Sequence, residues 1–168
     1  MTKVNNVTRM LDAKKIRYTA FETPVEKLGA VETAKFLQVP LEKVYKTVVL
    51  TRPQTGGKAQ VSRNKPILAV IPGSNIVDLK RVAQVLGEKK VVLPTEKEAE
   101  QITGLLAGGI SPLALINKGF QIIIDEVANS QGSIHVSGGQ RGLNILLPVG
   151  ALAELTHARL AVISTPEN

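Results

Sequence analysis

The sequence contains no cysteine and no tryptophan, and aromatic residues make up only 3% of its 168 positions. The lack of cysteine excludes disulfides, thiolate metal sites and a cysteine nucleophile. Only two histidines are present, His135 and His157, so a zinc site built on several histidines is not expected. We therefore expect neither a metal nor another cofactor. Few aromatic side chains are available on which nucleic-acid bases could stack.

Long apolar stretches are also missing from the chain. There is no run of about 18 apolar residues, so a membrane-spanning helix is not expected. The first six residues lack the apolar stretch of a signal peptide, and the expected location is the cytoplasm. The length, with 43% hydrophobic and 21% charged residues, predicts one folded domain over residues 1–168.

Acidic residues are fewer than basic ones. The chain has 21 lysines and arginines against 14 aspartates and glutamates, a formal net charge of +7. Such a balance favours a polyanionic partner such as nucleic acid, but it equally serves solubility alone. If RNA is the partner, contact is expected through phosphates and backbone shape, because stacking platforms are scarce.

Apolar spacing and turn residues predict a mixed order of helices and strands. Helices are expected over residues 4–15, 31–37, 77–86, 94–102 and 149–156. Strands are expected over residues 16–21, 44–52, 67–71, 90–93, 121–125, 133–136, 143–147 and 160–163. The second and third strands should form an antiparallel hairpin through a turn at Pro53–Gly57. The order is not a regular βαβ alternation, so the predicted class is α/β with mixed (α+β) organisation.

Two glycine-rich stretches are the main candidates for chemistry. Thr103–Pro112 carries three glycines, and Ser137–Gly142 carries a further three. A Gly-Gly step can point successive N–H groups at a carbonyl oxygen, an oxyanion or a phosphate. An ordinary loop is the alternative. Neither stretch matches G-x-G-x-x-G or the Walker pattern, which disfavours nucleotide-binding folds.

Charged and hydroxyl side chains near these stretches leave several alternatives open. Lys46 lies in a strand-like run, and is either at a sheet edge or directed into a polar cavity. Arg141 could bind a phosphate or a neighbouring acid. A serine nucleophile at Ser111 or Ser137 with His135 as base is disfavoured, because no G-x-S-x-G pattern is present.

Three motifs occur in a fixed order, at Val44–Thr47, Thr103–Leu113 and Val136–Leu143. Together they resemble the YbaK/EbsC group of aminoacyl-tRNA editing domains, and the likeness covers nearly the whole chain. These domains are similar to the insertion domain of bacterial prolyl-tRNA synthetase. The resemblance implies a mixed, barrel-like β-sheet surrounded by helices. It also implies hydrolysis of the ester between an amino acid and the tRNA 3′ end, above all in Cys-tRNA(Pro).

The resemblance also assigns roles to individual residues of the site. Lys46 matches a lysine that contacts the substrate near the scissile ester. Gly108 and Gly109 match a Gly-Gly pair whose amides position the carbonyl, and Ile110 and Ser111 line that turn. The family mechanism implies no enzyme nucleophile, since the substrate thiol attacks its own ester and leaves as a cyclic thiolactone.

Further binding residues, and departures from the family pattern, follow from the same comparison of motifs. Ser137, Gly138 and Arg141 are expected in the substrate-binding wall. Leu105 stands where close Cys-tRNA deacylases carry tyrosine, and Asn144 where they carry aspartate. These departures leave open which amino acid is removed.

The expected partners are the acceptor end of aminoacyl-tRNA and, as a family expectation, prolyl-tRNA synthetase; DNA and membranes are not expected. The alternatives are a deacylase for another small mischarged amino acid, alanine or serine, and a non-catalytic module that binds tRNA or a synthetase.

Overall fold

The structure is a computed structural model that describes residues 4–53 and 65–167. The turn predicted after Pro53 lies outside the described residues. None of the helices found in these two segments has the length and apolar character that crossing a bilayer requires.

Strands and α-helices follow one another in a mixed order. The strands are β1 (Thr19–Glu22), β2 (Tyr45–Leu50), β3 (Ile67–Pro72), β4 (Asn75–Val77), β5 (Gln121–Asp125), β6 (Ser133–Ser137), β7 (Leu143–Pro148), β8 (Arg159–Ala161) and β9 (Ser164–Pro166). The α-helices are α1 (Asn6–Ala13), α2 (Ala30–Leu37), α3 (Leu79–Leu86), α4 (Glu96–Thr103) and α5 (Val149–Thr156). The five predicted helices are therefore confirmed, with shifts of a few residues at their ends.

The strands form three sheets over the described residues. One has the order β1-β7-β6, a second β2-β3-β5-β8, and a third pairs β4 with β9. The predicted hairpin of β2 with β3 is antiparallel, as expected, while β5 is parallel to both of its neighbours, β3 and β8. A single parallel bridge between Val44 and His135 joins the two larger sheets. The mixed class is confirmed, but these residues form no closed barrel, so the barrel-like closure is not confirmed.

Strand β3 is the wall between two apolar clusters, and all six of its residues are buried. Alternation along a strand sends successive side chains to opposite faces. Leu68 and Val70 accordingly pack in the cluster that also contains β6, β7, α1 and α5 side chains. Ile67, Ala69 and Ile71 pack in the cluster formed with α3. Burial on both faces explains why this strand reads as a continuous apolar run.

Local end signals account for the helices. Asp78 accepts a hydrogen bond from the Arg81 N–H at 3.1 Å and so begins α3, which ends at Gly87 with φ +70°. Thr95 and Glu98 cap each other's backbone at the start of α4. That helix ends at Gly104, with φ +72°, which directs the chain into the first glycine-rich stretch.

Two predictions made from local pattern need correction, the first in its bounds and the second entirely. The helix expected over 77–86 begins two residues later, because Asn75–Val77 pairs with β9 near the end of the chain. The strand expected over 90–93 is not formed, and only an isolated bridge between Thr51 and Val92 is found there. At Asn75–Val77 a partner distant in sequence decides the backbone conformation.

Asp125 ties the C-terminal segment to β5. Its buried carboxylate accepts hydrogen bonds from the Val127 N–H at 3.0 Å, the Ile163 N–H at 3.2 Å and the Ser164 hydroxyl at 2.6 Å. A carboxylate accepts at both oxygens, whereas an amide of the same shape replaces one acceptor with a donor.

We expect Asp125→Asn to lower the free energy of unfolding by about 2–3 kcal/mol, because it leaves buried donors without an acceptor. Denaturant unfolding with an unchanged m-value is the measurement. The control is Asp12→Asn, whose exposed side chain keeps an acceptor for the Tyr18 hydroxyl. Equal stability of the two variants would contradict the role given to Asp125.

Candidate active site

A cleft of about 620 Å³ opens where the two larger sheets meet. Its walls come from β2, the segment that leads into α2, the start of α4 and both glycine-rich stretches. Four of the predicted site residues line it, namely Lys46, Gly108, Ile110 and Ser137. The other four, which are Gly109, Ser111, Gly138 and Arg141, lie outside its lining.

Lys46 combines the two alternatives that its sequence context left open. It lies on β2, the edge strand of its sheet, directly opposite Ile71 of β3. Its side chain is half-buried and lines the cleft. No carboxylate in the described residues forms an ion pair with it. The ammonium is therefore available to a negative charge brought by a ligand.

The first glycine-rich stretch forms a tight turn at the cleft wall. The Gly109 N–H donates to the Leu106 carbonyl at 2.8 Å, and Gly108 has φ +89° at the position before it, which favours glycine. The Gly109 amide is thus used within the turn. In the part of the chain that the structure describes, the amides of Gly108 and Ile110 have no hydrogen-bond partner. Both residues line the cleft, so these two amides are candidate donors to a ligand there.

Two side chains bind the backbone of Ala107, the residue before the Gly108–Gly109 pair, one at its N–H and one at its carbonyl. Its N–H donates to Glu100 Oε2 at 2.7 Å, and its carbonyl accepts from Arg141 Nε at 2.7 Å. Arg141 thereby joins the second glycine-rich stretch to the first through a backbone carbonyl. Glu100 was missed by sequence reasoning, because no motif marks a helical glutamate that binds the loop after its own helix.

The remaining predicted residues have structural contacts. Ser111 is fully buried and its hydroxyl accepts from the Leu113 N–H at 3.1 Å. Gly138 packs against the side chain of Leu143, which an added Cβ would meet at 2.5 Å. The Ser137 hydroxyl accepts from the Gly139 N–H at 3.2 Å at the cleft wall.

His135 is held by Asn144 rather than by a serine. Its Nδ1 lies 2.8 Å from Asn144 Oδ1, so Nδ1 carries the proton, and its ring lies 5.5 Å from that of Phe21. Burial is the main cause that lowers the pKa of His135, although the hydrogen bond to Asn144 opposes it. The imidazole is therefore neutral at pH 7. Asn144 lines the cleft, and no hydrogen bond joins His135 to Ser137 among the described residues.

The cleft is lined by more acidic than basic side chains. Three carboxylates, from Glu26, Glu32 and Glu96, face two ammonium groups, from Lys27 and Lys46. Lys27 and Glu96 form an ion pair at 2.6 Å, and both are exposed. The lining therefore carries one net negative charge, which favours a ligand with a cationic group. Over residues 4–53 and 65–167, no three His, Asp or Glu side chains are grouped as a metal site requires.

Comparisons with known proteins agree with one another. The profile of the aminoacyl-tRNA editing domain matches residues 25–155. A protein of Enterococcus faecalis, named as a candidate Cys-tRNA(Pro)/Cys-tRNA(Cys) deacylase, EbsC, is 34% identical over 164 residues, which are 96% of this chain and 94% of the relative.

Solved structures give the same fold. The hypothetical protein APE2540 has a TM-score of 0.82 at 20% identity and covers 96% of this chain and 100% of its own. A candidate trans-editing enzyme for prolyl-tRNA synthetase has a TM-score of 0.74 at 20% identity, with coverage of 99% and 100%.

The contact between the two glycine-rich stretches leads to a stability prediction. A Cβ at Gly109 would meet backbone atoms of Gln140 at 3.0 Å and the Arg141 nitrogen at 3.1 Å. We expect Gly109→Ala to lower the free energy of unfolding by about 1–3 kcal/mol, because backbone atoms must move. Denaturant unfolding measures the change.

Gly150→Ala is the matched control. Gly150 lies in the first turn of α5, where an added Cβ meets nothing within 4 Å. This change should be neutral or stabilise by up to about 1 kcal/mol. If the two substitutions had the same effect, the close contact of the stretches would not be a constraint.

Proposed function

Because the chain belongs to the aminoacyl-tRNA editing domain family, we propose that it removes cysteine from mischarged Cys-tRNA(Pro) with the substrate's own thiol as nucleophile. The broader activity, aminoacyl-tRNA deacylation, rests on the family match and on the relative named as a deacylase. The amino acid and the mechanism are the finer parts of the proposal. The observation that carries them is the cleft, which is lined by Lys46 and by the unpartnered amides of Gly108 and Ile110, and in which the described residues form no hydrogen-bonded serine–histidine pair.

The reacting carbonyl would sit against the turn of the first glycine-rich stretch. The amides of Gly108 and Ile110 would donate to its oxygen as negative charge develops there, and Lys46 would stabilise charge at the carbonyl or the ribose. This differs from the pair expected from the motif, because the Gly109 amide is already used within the turn. Donors fixed before the reaction need no reorganisation during it.

The proposed step has a simple balance of bonds. The cysteine sulfur attacks the ester carbonyl carbon, a C–S bond forms, and the C–O bond to the terminal ribose breaks. The thiol proton passes to the ribose oxygen, and the amino acid leaves as a cyclic thiolactone. The enzyme contributes orientation and charge stabilisation, which together can supply a large part of the barrier reduction. The absence of cysteine from the chain agrees with this division of roles.

The carboxylates of the cleft suit the other end of the amino acid. An esterified amino acid carries a free α-ammonium, and Glu26 and Glu32 line the cleft outside the Lys27–Glu96 ion pair. They would favour the ammonium near the cleft mouth. The acceptor end of tRNA is then the partner, and prolyl-tRNA synthetase in the cytoplasm is the source of the mischarged product.

A second candidate substrate is supported by Asn144. It lines the cleft where close relatives carry aspartate, and its carboxamide is bound to His135. An uncharged wall there admits alanine or serine as the side chain, in which case water would be the nucleophile. A non-catalytic module that binds tRNA or a synthetase remains the alternative from another class. Deacylation assays on cysteinyl-, alanyl- and seryl-tRNA distinguish all three.

We expect Lys46→Ala to lower kcat for cysteinyl-tRNA by at least about 100-fold, which is the typical loss when one charge-stabilising donor is removed. Release of radiolabelled amino acid measures the rate, and thermal unfolding verifies the fold. Lys35→Ala removes an exposed lysine that lies outside the lining of the cleft and should retain activity. Full activity of Lys46→Ala would refute the role of this residue.

Blocking the substrate sulfur tests the mechanism. We expect S-methylcysteinyl-tRNA to resist cleavage by the unmodified enzyme, because the nucleophile is absent. The measurement is the single-turnover rate against cysteinyl-tRNA, with the spontaneous rate of each ester subtracted. Equal enzymatic rates for the two esters would favour water as the nucleophile and exclude the thiolactone route.

A further inference from the structure

A second cavity, of about 540 Å³, shares the two glycine-rich stretches with the cleft. We call it the second groove. Its lining consists of Asn5, Asn6, Val7, Met10, Lys14, Leu105, Leu113, Ala114, Ile116, Asn117, Lys118, Gly139 and Gln140. Its volume lies in the range of about 300–1,000 Å³ that ligand sites usually have. Leu105, one of the departures from the family pattern, lines this groove and not the cleft.

Charge distinguishes the two cavities. The second groove is lined by two lysines, Lys14 and Lys118, and by no carboxylate. Both lysines are exposed, and neither takes part in an ion pair among the described residues. The cleft, in contrast, has three carboxylates against two ammonium groups. A ligand with a cationic end and a polyanionic remainder would therefore place its two parts in different cavities.

Carboxamides form most of the remaining polar lining. Asn5 donates to the Gly138 carbonyl at 2.9 Å and to Gln140 Oε1 at 3.0 Å, which fixes the Gln140 side chain and leaves its amino group as a donor. Asn117 follows a 3-10 turn with φ +61° and has no side-chain hydrogen bond within the described chain. Asparagine and glutamine are side chains that hydrogen-bond to base edges, since they offer a donor and an acceptor together.

Aliphatic side chains provide the apolar surface of the groove. Val7 and Met10 come from α1, and Leu113 and Ile116 come from the turn after the first glycine-rich stretch. Gly139 comes close to this surface, because a Cβ there would meet Val7 at 3.2 Å. Such surfaces can contact ribose and base faces, although less strongly than aromatic rings do.

We propose that the second groove binds the single-stranded nucleotides that precede the aminoacylated 3′ end of tRNA. Lys14 and Lys118 contact their phosphates, and Asn117 and Gln140 contact their bases. This inference rests on the proposed function, which places the ester in the cleft. The strand then passes from cleft to groove over stretches rich in glycine, whose bare backbone allows close approach.

The test is the binding of a fluorescein-labelled single-stranded RNA that ends in CCA, followed by anisotropy at several salt concentrations. Lys14→Gln with Lys118→Gln should weaken binding by about tenfold at low salt. The slope of log K against log salt is negative, and its magnitude should decrease by about 1.4, or about 0.7 for each phosphate that is no longer neutralised. Lys14→Arg with Lys118→Arg should keep the affinity, because the charges remain.

The matched control is Lys80→Gln with Lys89→Gln, which removes the same charge from exposed positions that line neither cavity. Its salt slope should equal that of the unmodified protein. An equal loss of affinity in both double variants, or an unchanged slope in Lys14→Gln with Lys118→Gln, would overturn the proposal. The proposal would also be overturned if Lys14→Gln with Lys118→Gln lost binding to prolyl-tRNA synthetase but kept binding to RNA, since the groove would then receive a protein.

Deacylation is a separate readout of the same variants. If the unmodified protein binds the RNA but cleaves no aminoacyl-tRNA, the proposed function fails, while the anisotropy still shows whether the second groove binds the RNA. If cleavage occurs, the KM for aminoacyl-tRNA should rise in Lys14→Gln with Lys118→Gln and not in the control.

Discussion

The structure depends on the contact between its two glycine-rich stretches. Gly109 touches the backbone of Gln140 and Arg141 so closely that a single Cβ would have to displace main-chain atoms. Arg141 and Glu100 then fix Ala107 through its carbonyl and its N–H. This contact sets the conformation of the Gly108 turn, and the same stretches supply walls to both cavities. Glycine is needed here for proximity as much as for backbone freedom.

The two cavities that share these stretches differ in the charge of their linings, and this difference links the fold to the proposed function. The net charge of +7 belongs to the whole chain and does not reveal that the cleft itself is lined by more carboxylates than ammonium groups. An aminoacyl-tRNA has the same asymmetry, with an ammonium at its extremity and phosphates immediately behind it. A site that is slightly acidic at one end and basic at the other can therefore orient the ester before any specific contact forms.

Local sequence patterns predicted those features of the fold that depend on residues close together in the chain. Capping by Asp78 and the left-handed Gly87 mark α3, and the apolar run of β3 marks a strand buried on both faces. The pairing of Asn75–Val77 with β9 could not be predicted, because its partner lies at the other end of the chain. Lys46 and Gly108, which the motifs indicated as candidates, line the cleft, whereas Glu100 acts through one hydrogen bond to a loop and leaves no pattern.

The cleft is better suited to select its substrate by the reactivity of the amino acid than by the size of the side chain. A pocket that tells small side chains apart by packing gains only about 1–3 kcal/mol for each methylene group, which is too little for reliable editing. Under the proposed mechanism the substrate must supply the nucleophile, so a correctly charged prolyl ester is spared because it has no thiol. The enzyme then needs rigid donors more than a tight side-chain pocket. The open cleft, the turn held by Glu100 and Arg141, and the free amides of Gly108 and Ile110 meet that requirement.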